Sequence, residues 1–152
     1  MIATDYRRLQ ERMVALIRAF GLHRPDRTPC GQPISVSEAH TLMELDLHGA
    51  LSQTDLARCV QLDKSTVSRL VHTLERRHWI SRSRCDRDGR VRLLRLTEQG
   101  KRMAEQLRAA QGIKFSTVLE RIPAERQEAV LEVLDVLVQA MQDGEKEEKI
   151  PS

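Results

Sequence analysis

Aromatic residues are nearly missing from this chain: one Trp, one Tyr and two Phe make up 3% of 152 residues. A core without rings must be aliphatic. Leucine, valine and alanine beside 31% charged residues suit amphipathic helices better than a strand-rich fold, so a mostly α protein is expected. Cysteine is also scarce, and Cys30, Cys59 and Cys85 are odd in number and widely spaced, unlike a disulfide framework. No stretch approaches the roughly 20 apolar residues of a membrane-spanning helix. The start, MIATDYRRLQERMVAL, carries charge through its apolar repeat and reads as neither signal peptide nor anchor. A cytoplasmic protein with no membrane partner is expected.

Catalytic patterns are missing too. There is no Ser/His/Asp set, P-loop, nucleotide fingerprint or clustered carboxylate pair, which argues against an enzyme and implies no cofactor. The five histidines, at 23, 40, 48, 72 and 78, lack the tight spacing of a zinc site.

What is present is positive charge in one place. The net charge is only +3, yet Ser52 to Arg102 holds 13 Lys/Arg against 6 Asp/Glu, so this third of the chain exceeds the whole net charge. An anionic partner is implied, with a solvated basic face as the plainer alternative. Within this stretch, Asp63 to Arg77 reads as an amphipathic helix. Val67, Leu70, Val71 and Leu74 fall on one apolar stripe, and Ser65, Ser68, Arg69, His72 and Arg76 line the opposite face. Asp63 is placed to cap it. Lys64, Ser65 and Thr66 fill a first turn whose free N–H groups and dipole favour phosphate. This is the construction of a helix that reads DNA.

In chain order, Leu9, Met13, Leu16, Ile17 and Phe20 mark a first helix, with Gly21 at its C-cap, followed by the irregular LHRPDRTPCGQP. Ser35 and Glu38 have capping-box spacing before a helix that ends near Gly49, and Ser52 and Asp55 repeat the device before a short helix through Val60. The tight link from Val60 to Lys64 completes a helix-turn-helix. Past Arg77 the period changes. Trp79 to Arg84 and Arg90 to Leu96 form a hairpin around CDRDG, crowded by Arg82, Arg84, Arg87, Arg90, Arg92 and Arg95. A loop so armed suits the minor groove, and a plain basic hairpin is the alternative.

Thr97 caps a long helix with Gly112 as a kink or weak point, and Pro123 begins a last helix striped by Val130, Leu131, Leu134, Leu137, Val138 and Met141. The first helix and the last two carry apolar faces that a small winged domain does not need, which points to a second subunit, or else to packing within one chain. Residues 1–34 and 101–143 are therefore expected to form a helical dimerisation region, 35–100 a winged helix-turn-helix DNA-binding domain with a small β-hairpin wing, and 144–152 a charged flexible tail.

The helix order, the SQTDLARCVQLDKSTVSRLVHTLERR core, and Asp88-Gly89-Arg90 followed by Leu94, Leu96 and Thr97 resemble the MarR family of bacterial winged helix-turn-helix regulators. The family's wing signature, D-x-R-x-x-x-L-x-L-T, is met at all five fixed positions. The resemblance covers Ser35 to Leu107 in detail. It implies that Ser65, Thr66, Ser68 and Arg69 face base edges in the major groove, with Lys64 and His72 nearer phosphates. Arg90 then serves the minor groove and Asp88 holds it, while Arg84 and Arg87, read from the basic hairpin itself, are further DNA-binding candidates. It also implies dimerisation through the terminal helices and a small-molecule effector bound between that region and the DNA-binding lobe. Gln61 and His78 stand where relatives commonly carry glycine, so slightly altered turns are expected there.

Cys30 is the candidate sensor. It lies near Arg24 and Arg27 in sequence, where positive charge lowers a thiol pKa, and the resemblance adds oxidant sensing or zinc binding in this neighbourhood. Cys30, Glu38 and His40 are weak candidates for metal ligands, and an ordinary half-buried thiol is the competing reading. The expected function is a sequence-specific transcriptional regulator, a repressor, acting as a homodimer on palindromic double-stranded DNA and relieved by a ligand or oxidant. The alternative is a winged-helix adaptor that binds a protein and does not read DNA.

Overall fold

A computed structural model describes residues 2–148, with side chains from 5 to 144. The helices are α1 (Ile2–Phe20), α2 (Val36–His48), α3 (Gln53–Val60), α4 (Lys64–Arg76), α5 (Glu98–Glu120) and α6 (Ala124–Glu148); the strands are β1 (Leu51–Ser52), β2 (Ile80–Arg84) and β3 (Arg92–Leu96). Mostly α with a small wing is the observed class.

Local chemistry fixes most boundaries. Gly21, at φ 89°, ends α1 by letting its own N–H and that of Leu22 both donate to the Ile17 carbonyl. Ser35 and Glu38 form the full reciprocal capping box at the start of α2, and Gly49 at φ 77° closes the helix. Ser52 accepts from the Asp55 N–H to start α3. Gln61 follows α3 at φ 54° and His78 follows α4 at φ 59°. Both turns thus keep the left-handed geometry that glycine would supply, with side chains that make it costlier by about 1 kcal/mol each. The turns are retained and not altered.

The sheet has the order β1-β3-β2, antiparallel throughout, with Leu51 opposite Leu94 and Ile80 opposite Leu96. The two-residue β1 is an addition to the expected hairpin. Leu42 and Leu45 of α2, Leu56 of α3, Val67, Val71 and Leu74 of α4, Leu94 of β3 and Leu107 of α5 are essentially sealed from solvent. The core is aliphatic and centred on α4, with Trp79 packed at its edge.

One junction joins four elements. The Trp79 carbonyl accepts from the Thr97 N–H at 3.0 Å, and the Thr97 hydroxyl donates to the His78 carbonyl and accepts from the Gly100 N–H at 3.1 Å. Gly100 lies so close that a Cβ built on it would sit 2.0 Å from the Trp79 carbonyl oxygen. Only glycine fits. Near it, Arg77 stacks over the Trp79 ring at 5.1 Å and pairs with buried Glu38 at 3.6 Å, and Arg108 of α5 pairs with Asp46 of α2.

The chain forms two compact units, Met1–Gln111 and Gly112–Ser152, so α1 is grouped with the winged part and not with α6. In the second unit Gln127 donates to the carbonyls of Leu119 and Ile122, closing the turn before α6. Helix α5 runs through Gly112, the expected kink or weak point, which is also where the two units divide. Helix α6 includes residues 144–148 of the expected charged tail, and 149–152 lie outside the described residues. No described helix is long and apolar enough to cross a membrane.

Two glycines of α5 give opposite expectations. Gly100→Ala should destabilise the fold by about 2 kcal/mol or more through overpacking, whereas Gly112→Ala meets nothing within 4 Å and should stabilise it by about 0.5–1 kcal/mol. Urea unfolding of both variants at one protein concentration checks the pair.

Candidate nucleic-acid interface

Helix α4 buries one stripe and leaves Ser65, Ser68, Arg69, His72 and Arg76 exposed together on the other. Its first turn is organised by Asp63. One carboxylate oxygen accepts from the Thr66 N–H at 2.8 Å and the Ser65 hydroxyl at 2.6 Å; the other accepts from the Thr66 hydroxyl at 2.8 Å. Arg69 in turn donates to the Thr66 hydroxyl at 3.4 Å. These bonds, led by that from Ser65, hold the Asp63 carboxyl well below the ordinary carboxylate range. Lys64 and His72 are exposed at the flanks of the same helix.

The wing is fastened to this helix. Arg82 of β2 reaches back to Glu75 of α4 with Nε at 2.7 Å and a second nitrogen at 3.4 Å. Such a two-pronged guanidinium–carboxylate pair fixes orientation as well as distance. Arg82 is thereby a structural arginine among the wing's basic residues. Sequence reasoning missed the pin, because Glu75 and Arg82 are joined only by the way the chain turns back after α4.

At the wing tip, the Asp88 carboxylate accepts from the Arg90 backbone N–H at 3.0 Å, and the Asp88 carbonyl accepts from the Val91 N–H. Asp88 therefore shapes the loop through the main chain of Arg90; the expected hold on Arg90 acts at its backbone. Arg84, Arg87 and Arg90 are exposed. The structure places Lys64, Ser65, Thr66, Ser68, Arg69 and His72 on one helix, and Arg84, Arg87, Asp88 and Arg90 on the wing pinned to it.

Cys30, Glu38 and His40 do not come together. The half-buried Cys30 thiol lies 3.0 Å from the Thr28 hydroxyl. Glu38 is held by the Ser35 N–H and by Arg77. Among the described residues the group with metal-ligand proximity is instead Glu44, His48 and Cys59, which the sequence reading did not single out.

The MarR family description matches residues 34–91, which span the helix-turn-helix and most of the wing. An uncharacterized HTH-type transcriptional regulator of Bacillus subtilis, YfiV, is 30% identical over 114 residues, covering 75% of this chain and 71% of its own. Among solved structures, Streptococcus pneumoniae FabT in complex with DNA is similar at TM-score 0.77 and 21% identity, over 91% of this chain and 98% of that one. The PcaV regulator of Streptomyces coelicolor in complex with its natural ligand is similar at TM-score 0.63 and 25% identity, over 90% of each chain.

The depressed Asp63 carboxyl has a definite sign. Its folded pKa lies below the unfolded value of about 3.9, so it stabilises the fold above that pH and the contribution is lost as pH falls through the folded pKa. Denaturant unfolding followed from about pH 5 to pH 2 should lose stability less steeply in Asp63→Asn than in the wild type; matching slopes would show that the cap is not coupled to folding.

Proposed function

The chain belongs to the MarR family of transcriptional regulators, and from that premise we propose that it is a cytoplasmic repressor that binds a palindromic operator as a homodimer and is released by a signal. The observation that carries the reading is the pin between Arg82 and Glu75, which joins the exposed face of α4 and the arginine-rich wing into one body. A helix in the major groove and a loop over the adjacent minor groove need such a fixed relation. In this reading Ser65, Thr66, Ser68 and Arg69 meet base edges, Lys64 and His72 meet phosphates, and Arg84, Arg87 and Arg90 serve the wing, with Asp88 shaping its tip. The DNA complex of the similarly folded FabT supports it.

The dimer reading rests on the terminal helices. Leu9 and Leu16 of α1, Phe115 of α5, and Leu131, Leu134, Val138 and Met141 of α6 are all exposed. So many large apolar side chains facing solvent are unusual for a monomer. Residues 1–34 and 101–143 would supply the interface, leaving two copies of α4 to read two half-sites. The releasing signal is a small-molecule effector or an oxidant. The ligand-bound structure of PcaV supports the first, and the half-buried Cys30 thiol is the candidate for the second.

Duplexes selected from a random pool by the purified protein test the reading. Two chains per palindromic duplex are expected, with log affinity falling steeply against log salt. Arg90→Ala should weaken binding at least about tenfold, and Lys64→Ala should reduce the salt slope by about one. A flat salt slope without sequence preference would leave a protein-binding adaptor as the better account.

Peroxide treatment tests the oxidant. Loss of DNA affinity that is reversed by reductant and absent in Cys30→Ser would make Cys30 the sensor. Unchanged affinity after treatment would remove it.

A further inference from the structure

On the side of α2 facing α3, three different ligand types converge. Glu44 and His48 are one turn apart on α2, and the Glu44 carboxylate lies 3.3 Å from His48 Nε2. Cys59, in the last turn of α3, places its Sγ 4.0 Å from the same nitrogen. All three ligand atoms lie within 4.8 Å of one another. Glu44 and Cys59 border an open cleft of about 310 Å³, lined also by His40, Met43, Val60 and Gln61.

We propose that Glu44, His48 and Cys59 bind a divalent transition metal of the zinc class, clasping the end of α2 to the end of α3. Zinc bonds of about 2.0–2.3 Å to oxygen, nitrogen and sulfur place tetrahedral ligand atoms about 3.3–3.6 Å apart. The Glu44–His48 spacing already meets this, and Cys59 needs to approach His48 by about half an ångström. One carboxylate, one imidazole and one thiol favour a borderline-soft ion over calcium or magnesium, which take oxygen ligands. Three protein ligands leave the fourth position to water from the cleft.

The metal-free thiol is held in its neutral form. Desolvation and then the Glu44 and Asp55 carboxylates raise its pKa, while the Asp55 charge is partly offset by Arg58. Binding forms an S–metal bond and releases the thiol proton to solvent. The ion's positive charge between Glu44 and the thiolate offsets the repulsion that otherwise disfavours the thiolate. No oxidation or reduction is involved.

The site is separate from Cys30, and its three side chains are at the surface or half-buried, so their replacement leaves the core intact. Helix α3 leads through Gln61 and Asp63 directly into α4, so an ion fixing α3 against α2 also constrains the approach to the reading helix. That last consequence rests on the DNA-binding proposal; the metal site does not.

Cobalt(II) titration of the reduced, metal-free full chain provides the test, with zinc(II) competition giving affinities. One equivalent of cobalt should give the visible bands of a tetrahedral ion and a thiolate-to-cobalt charge-transfer band in the near ultraviolet. Cys59→Ser should abolish the charge-transfer band, while Cys30→Ser and Cys85→Ser keep it. His48→Ala should weaken zinc binding at least about tenfold. Circular dichroism of each variant verifies folding. A charge-transfer band that survives in Cys59→Ser, or the absence of stoichiometric binding by the wild type at micromolar metal, would overturn the site whether or not the protein binds DNA.

Discussion

The winged unit depends on the carbonyl of Trp79. It receives the Thr97 N–H, which ties the start of β2 to the end of β3, and it lies against Gly100, which brings the first turn of α5 to the same place. Thr97 adds a bond to the neighbouring His78 carbonyl, so the end of α4 is held as well. With that junction closed, Leu74, Leu94 and Leu107 meet in one aliphatic core without needing aromatic bulk. The close backbone approach explains how a chain so poor in rings still packs its sheet against helices.

From the same junction the wing is aimed. The left-handed turn at His78 reverses the chain after α4, Trp79 anchors it, and four residues after His78 Arg82 is back in reach of Glu75. Two constraints thus act on the hairpin, a main-chain tie at its base and an ion pair along its length. Its tip is organised separately, by Asp88 accepting from the main chain of Arg90, which leaves the Arg90 guanidinium uninvolved in shaping the loop.

Whatever depended on local chemistry could be read in the sequence. The caps at Ser35, Ser52 and Asp63 involve bonds spanning three residues, and the stripe of Val67, Val71 and Leu74 repeats within a helix, so both were visible. The features that escaped join residues through the turns. Strand β1 is two residues long and exists only because β3 returns beside it, and Arg82 looked like its basic neighbours until the hairpin folded back. Cys30, Glu38 and His40 were close in sequence but occupy different environments. Glu44, His48 and Cys59 meet because the Gly49 cap and the short β1 bring α3 back along α2. Helix α6 runs on into the charged stretch containing Gly144, which is compatible with helix when an established helix precedes it.

The cap at Asp63 does more than begin a helix. A hydroxyl has one proton and two lone pairs, and the protons of both Ser65 and Thr66 are committed to the Asp63 carboxylate. What these two side chains have left is acceptor capacity alone. Next to them Arg69 has donors alone. Of these three side chains, Ser65 and Thr66 therefore offer acceptors and Arg69 offers donors. In the major groove, acceptors match the amino groups of adenine and cytosine, and a guanidinium matches the O6 and N7 of guanine. If α4 reads bases as proposed, the Asp63 carboxylate sets the hydrogen-bonding sense in which Ser65 and Thr66 can do so.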